Sequence, residues 1–435
     1  MKRSLRVATA VAAATVLAGT FAACSGGSAG TETGGEVTGK IDLFFWGSSS
    51  RVEKYNEINE LFKKANAGTD VAASATDFTS YFDKLNTMAA SQSMPCVTTM
   101  QTRQLNDYTG NDVLQDLQPL IDSGQINVDD IPDSILDYGR APDGTLYMIP
   151  FGVAWNAYTA NETMAEDAGI ELPEPGYTWD EYATWMADAS GELPSDVPVA
   201  TDGGGNEALL LAYVISNGHT MFTPEGQLGF DKSVLADYWN MWQDFSEAGY
   251  LTTPQQDADE PDQLEQFYVT LNRVLTEGTA GNALPGIQEA NEDNTMTSIL
   301  FPSGSAGLGN TFFVSGYSIP QNCENTATAA AYIDFFTNDD ASAEVFASDN
   351  GAVANNRQLQ VQIENPPNDG VKQVLKQYQA IIDADVEAPI MPAGYFAYFS
   401  AGLTRHYQDV QFGRATVDEA VDAFFEEANQ NMGDQ

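Results

Sequence analysis

Residues able to carry out chemistry are unevenly supplied in this chain of 435 residues. It has 62 Asp and Glu, two histidines (His219 and His406) and three cysteines (Cys24, Cys96 and Cys323). So many acids guarantee carboxylate pairs, the arrangement glycoside hydrolysis uses, yet their spacing singles out no pair. The histidines lie far apart without ligand spacing, which argues against zinc, while calcium on a carboxylate loop stays open. No serine nucleophile elbow or phosphate loop occurs, and Gly203-Gly204-Gly205 has no lysine after it. Binding without covalent chemistry is therefore the expectation, and no cofactor is implied.

The charge balance narrows the partners. With 18 Lys and Arg against the acids, the formal net charge is −44. Such a surface repels phosphate backbones and anionic headgroups, so nucleic acid is excluded as a natural partner. The acids are scattered rather than gathered into tails, as on a solvated, soluble surface.

The N-terminus speaks to location. Lys2, Arg3 and Arg6 precede a short apolar run, Val7 to Phe21, too short for a comfortable membrane span. Phe21-Ala22-Ala23-Cys24 follows and resembles a bacterial lipobox, with Phe21 where Leu is usual. Residues 1–23 are expected to be a lipoprotein signal peptide, Cys24 the lipidated residue, and 24–39 a flexible Gly/Ser/Thr-rich tether. The expected location is the outer face of the bacterial cell membrane. Cys96 and Cys323 are left to pair or to remain separate thiols in a disulfide-permissive setting.

The elements that must position any site begin with an apolar run closed by glycine, Ile41 to Gly47, which predicts a buried strand. Ser50-Arg51-Val52-Glu53 predicts a capping box, and Val52, Tyr55, Ile58 and Phe62 recur at helical spacing. Val71 to Ser74 and Pro95 to Met100 predict further strands, with a helix starting near Tyr81 between them. This alternation implies parallel βαβ units. The chain then becomes more helical: Thr178-Trp179-Asp180-Glu181 and Thr416-Val417-Asp418-Glu419 are two more capping boxes. A strand is predicted over Val197 to Ala200, helices over Ala208 to Ser216 and Val234 to Ala248, and a long strand over Thr311 to Pro320.

Several of these stretches, in order, resemble the family 1 extracellular solute-binding proteins, the carbohydrate receptors of ABC importers, laid out like maltose-binding protein. They are Leu43-Phe44-Phe45-Trp46-Gly47, Tyr81 to Thr87, Gly144 to Pro150, Thr178 to Tyr182, Gly351 to Asn355 and Gly413 to Ala420. Departures include Cys96 in the family's Pro-Asp-Val strand and Ala160 in its Tyr-Asn pair. Gly281-Asn282-Ala283-Leu284-Pro285 stands where the family has an aromatic. The resemblance implies an α/β, two-lobed periplasmic-binding-protein-like fold. Each lobe would be a mainly parallel sheet flanked by helices, with three hinge crossings near 150–155, 311–316 and 351–357. It places residues 40–152 and 315–353 in lobe 1, and 153–314 and 354–435 in lobe 2.

The implied function is non-enzymatic capture of an oligosaccharide, expected to be neutral, for delivery to membrane permease subunits by a monomeric receptor. A secreted glycan-active enzyme and a receptor for another solute are the alternatives. Sugars need aromatic platforms and a fan of polar groups. On the loops that such a fold turns toward its cleft, the candidates are Trp46, Ser49, Arg51, Phe78, Tyr81, Trp155, Asn156, Asn206 and Glu207. The family spacing adds Arg103 and Gln104, Asn282 at the place of the missing aromatic, and Tyr395, Phe396 and Phe399 in the C-terminal aromatic region. Trp46 and Arg51 have core packing and a solvated surface as their respective alternatives. Tyr238, Trp239 and Trp242 sit at helical spacing and are expected in the core.

Overall fold

The computed structural model of the protein describes residues 31, 33–110, 113–259, 263–366 and 368–433. The expected signal peptide, Cys24 and the start of the tether lie outside the described residues. Residues Thr31–Gln435 form one compact unit with two buried cores.

Eight strands organise that unit: β1 (Gly39–Trp46), β2 (Thr69–Thr76), β3 (Val97–Gln101), β4 (Ile149–Asn161), β5 (Thr276–Ala280), β6 (Met296–Ile299), β7 (Phe312–Ser318) and β8 (Ala352–Val353). Their order is β2-β1-β3-β7-β4-β5, with β6 and β8 also paired to β4. Parallel pairing joins β1 to β2 and β3, separated in sequence by the helices Ser49–Ala65 and Phe78–Ala90. All the other pairings between these eight strands are antiparallel, so the mainly parallel sheets expected of both lobes are confined to the first three strands. The reason is topological, since β7 comes back from the second core and runs against both β3 and β4.

One strand serves both halves. Residues Ile149 to Trp155 of β4 pair with β7, whereas Asn156 to Ala160 pair with β5 and Tyr158 to Asn161 with β6. Gly152 and Val153 also pair with Val353 and Ala352 of β8. Of the three segments expected to cross between lobes, the first is therefore hydrogen-bonded to each of the other two. Their contact is close enough to need glycine. A Cβ on Gly351, whose φ is +96°, would fall 2.1 Å from the Val153 carbonyl oxygen.

Side-chain alternation then feeds both cores, because successive strand residues point to opposite faces. Phe312 packs in the core built on β1–β3, and the next residue, Phe313, packs in the second core with Trp239, Tyr395 and Phe424. Trp155 belongs to the first core and Tyr158 to the second. Parts of the expected lobe 2 also contribute to the first core, among them Tyr268, Leu284, Met296 and Leu359, and the helix Asp369–Asp383 through Val374, Tyr378 and Ile381. That helix covers Trp155, whose ring lies 5.9 Å from that of Tyr378.

The local signals hold in part. Thr178 and Thr416 form complete capping boxes with Glu181 and Glu419. Ser50 does not: its helix starts at Ser49 after Ser48, with no side-chain cap. Val197 to Ala200 forms no strand, because only Ala200 bridges, to Leu251 and Thr276. Cys96 and Cys323 form a disulfide that fastens the entry to β3 to the exit from β7.

Candidate ligand-binding site

A tightly enclosed loop in the second half runs from Asp202 to Asn206, and its glycines have a steric cause. A Cβ on Gly203 would lie 2.5 Å from Leu209 and Trp242, and one on Gly204 would lie 2.1 Å from the Tyr407 ring. Each glycine carbonyl also receives a side-chain donor. Tyr238 Oη donates to Gly203 O at 2.7 Å, Trp239 Nε1 to Gly204 O at 2.9 Å and Thr404 Oγ1 to Gly205 O at 3.0 Å. Large residues could close on this backbone only because it carries no side chains. The three aromatics expected in the core are there, fully buried, and two of them hold this loop.

The loop delivers a helix start. Asn206 Oδ1 accepts the amides of Ala208 and Leu209 at 3.0 and 3.1 Å, capping the helix Glu207–Ser216. This leaves Glu207 at the first helical position, where the positive end of the helix dipole favours a carboxylate. Glu207 reaches across to Arg103, which follows β3 on the short helix Thr102–Leu105, with Nη2 2.6 Å from Oε1. The other carboxylate oxygen accepts the Tyr395 hydroxyl at 2.8 Å. Beneath the guanidinium lies the Phe313 ring, 3.9 Å from its carbon to the ring centroid, a cation–π contact. Arg103 thus comes from the side of the first core, and Glu207, Tyr395 and Phe313 from that of the second. Burial pushes the Tyr395 phenol far above its usual range, so it stays protonated and donates.

Two more contacts join the same sides. Asn106 Nδ2 donates to Met391 O at 2.6 Å, and the Gly394 amide donates to Asp107 Oδ1, also at 2.6 Å. Beside them opens a cavity of about 750 Å³, lined by Asp107, Asp143 and Tyr147 on one side and by Glu225, Gly394 and Tyr398 on the other.

Of the sequence candidates, Arg103, Glu207 and Tyr395 meet directly, with Asn206 as the cap and Phe399 stacked on Tyr395 at 5.0 Å. Gln104, on the turn that carries Arg103, is 4% exposed, and neither amide atom of its side chain has a hydrogen-bond partner among the described residues. Phe396 is 43% exposed, whereas Tyr395 and Phe399 are fully buried and cannot offer open stacking faces.

The other candidates lie elsewhere. Trp46 and Tyr81 are buried and pack with half-buried Phe78, and the Tyr81 hydroxyl is occupied by the Thr99 and Phe44 carbonyls. That trio is core, because the run that ends β1 is buried from Leu43 onward. Arg51 is neither solvated nor in the site. It pairs with Asp349 and donates to the Trp46 carbonyl, tying the β1 exit to the approach to β8. Ser49 is exposed at the start of its helix. Trp155, expected at the cleft mouth, is fully buried under Gln377 and Tyr378, and Gly281 is the residue small enough to fit against its indole. Asn282 follows Gly281, with its Oδ1 buried and unpartnered among the described residues. The Asn156 carbonyl accepts Asn310 Nδ2 at 2.8 Å.

Phe313, Asn106 and Asp107 were not anticipated. The signal for the last two was their place within one helical turn of Arg103. Phe313 could have been found from the alternation of β7 once Phe312 was assigned to a core. Among the described residues no group of three or more His, Cys, Asp or Glu is arranged to hold a metal ion, and no helix is long and apolar enough to cross a membrane.

The fold is similar to those of solved substrate-binding proteins. An ABC substrate-binding protein of Listeria monocytogenes, solved in complex with cycloalternan, is similar at 17% identity and a TM-score of 0.74, covering 90% of this chain and 98% of that one. The GacH receptor of Streptomyces glaucescens GLA.O, solved unliganded and with acarbose, is similar at 17% identity and a TM-score of 0.72, covering 91% and 99%. A periplasmic oligogalacturonide-binding protein of Yersinia enterocolitica, in complex with saturated digalacturonic acid, matches at 15% identity and a TM-score of 0.74, covering 90% and 98%. At these identities the likeness is one of fold. The family model described as bacterial extracellular solute-binding protein matches residues 57–373, most of the chain, and the protein belongs to that family.

Proposed function

We propose that this protein captures a neutral oligosaccharide between its two lobes, leaves it chemically unaltered and delivers it to the permease of an ABC importer. The observation that carries this reading is the meeting of Arg103 with Glu207 and Tyr395 from opposite sides, beside a cavity walled by both. A ligand held there touches both halves at once and so binds their closed arrangement more tightly than an open one, which is what drives closure. The paired crossings β4, β7 and β8 are the natural hinge, being the segments common to both cores. The lobe boundaries of the sequence reading, shifted so that the helix Asp369–Asp383 moves with lobe 1, belong to the same proposal.

The carboxylates around the cavity, Asp107, Asp143 and Glu225, make it a poor host for uronates and a better one for uncharged sugars. Similar proteins solved with cycloalternan and with acarbose support a glycan of more than one ring. Lipidation at Cys24 would keep a monomeric receptor at the outer face of the membrane. The decisive experiment is calorimetry against a panel of neutral and acidic glycans, with chromatography of the mixtures afterwards. Binding of neutral oligosaccharides without products is expected. Turnover of any glycan, or binding confined to peptides or metal ions, would sink the proposal. Arg103→Ala is expected to weaken glycan binding at least about tenfold, since it strands a partly buried carboxylate at the site.

A further inference from the structure

The loop that presents Glu207 rests on two partly buried acids. Asp202 Oδ1 accepts the Gly204 amide at 2.9 Å, and its Oδ2 accepts the Tyr407 hydroxyl at 3.1 Å and Gln411 Nε2 at 2.9 Å. The same Gln411 nitrogen donates to Asp257 Oδ2 at 3.1 Å, and the Thr252 hydroxyl donates to the other oxygen of Asp257. Oxygens of two carboxylates therefore share one amide nitrogen.

The surrounding groups supply no compensating charge. Tyr407 and Gln411 face the acids from the helix Ala401–Gln411, Gln243 and Tyr238 from the helix Lys232–Glu247, and Tyr182 from the helix Trp179–Glu192. Among the described residues no Lys, Arg or His pairs with either carboxylate, and Arg405 and His406 of the nearest helix are both engaged by Glu427. Two like charges this close in a poorly hydrated place disfavour double ionisation. Burial, with the charge of Asp257 adding to it, raises the Asp202 pKa to about 7, and burial raises that of Asp257 as well.

We propose that Asp202 is a proton-dependent positioning residue: one proton held by the Asp202–Asp257 pair keeps the loop 202–206 closed and Glu207 in place, and its loss loosens both. The part concerning ligand rests on the proposed reading of Glu207 as a site residue. The direction with pH follows from linkage. In an unfolded chain Asp202 titrates at about 3.9. Its folded value is higher, so the stability the proton contributes is complete below about pH 4 and is lost as pH rises through about 7.

The test compares the whole chain with its Asp202→Asn and Asp257→Asn variants, each of which removes the repulsion from one side. The Tm of Asp202→Asn minus that of the parent is expected to rise by about 5 °C between about pH 4.5 and 8. A difference independent of pH would overturn the proposal. Hydrogen exchange, corrected for intrinsic rates, is then read at the amides of Gly204, Ala208 and Leu209. Their protection in the parent is expected to fall about tenfold between about pH 6 and 8, to stay level in Asp202→Asn, and to fall less than in the parent in Asp257→Asn, where Asp202 stays buried but loses its charged neighbour. Unchanged protection in the parent, even with a pH-dependent Tm, would reduce the pair to a scaffold and refute positioning. Should Asp202→Asn fail to fold, Asp257→Asn and the parent exchange profile still decide. Neither readout uses a glycan, so a panel in which no glycan binds would fail the functional reading alone.

Discussion

Glu207 has its two oxygens assigned, one to a cation and one to a phenol, whereas the neighbouring Gln104 amide is buried with no partner among the described residues. A buried, unpaired amide costs stability, typically about 1–3 kcal/mol. Gln104→Leu is therefore expected to unfold at the same or a higher urea concentration than the parent and to bind glycan more weakly. Lower stability with unchanged affinity would remove Gln104 from the site. Tyr395 calls for two substitutions. Tyr395→Phe deletes only the hydroxyl that meets Glu207 and should weaken binding with a stability change near about 1 kcal/mol. Tyr395→Ala opens a hole beside Phe399 and Phe222 and should cost about 3–5 kcal/mol in chemical denaturation. Equal losses in the two variants would contradict this division. At this scale the sequence is least informative. An aromatic on a strand, such as Trp46 or Trp155, has the same local signature whether it faces ligand or core. The deciding facts, a Gly281 that fits against one indole and a Phe78–Tyr81 pair around the other, are brought together only by tertiary contact.

Elements were more legible, for reasons that can be named. Capping boxes at Thr178 and Thr416 are local, complete within four residues, and need no tertiary partner. The crossings were legible as extended segments with Gly or Pro nearby, but their pairing with one another was not, because register between distant strands leaves no local trace. The glycine run illustrates the other limit. Read as a weak phosphate cradle it has no function, yet in the fold it is the one backbone stretch over which Tyr238, Trp239 and Tyr407 can close. Gly204→Ala should accordingly lower stability by more than about 2 kcal/mol and weaken ligand binding as well, because the clash is with a rigid ring at 2.1 Å. Thermal melts together with calorimetry would check this; a neutral outcome in both would mean that the loop yields without moving Glu207.

For the whole molecule, the disulfide is the long-range fastening whose stability can be probed directly. It closes a span of 227 residues, so removing it frees a large loop in the unfolded chain. The double variant Cys96→Ala, Cys323→Ala is expected to lose about 3–5 kcal/mol by denaturant titration, with glycan affinity retained, since the bond lies at the opposite end of β3 from Arg103. The two-lobed α/β class was legible from the order of motifs. How material is divided between the cores was not, because the helix Asp369–Asp383 follows the last crossing in sequence and yet packs on Trp155.

The central position of β7 has a consequence for synthesis. Its partners β3 and β4 are complete by residue 161, yet they wait for residues 312–318 before either edge between them is satisfied. Contacts of such high sequence separation form late and slowly, and no shorter N-terminal portion contains the finished sheet. A nascent chain of this design therefore cannot close the centre of its sheet until residue 318 has been made, however early β1, β2 and β3 come together.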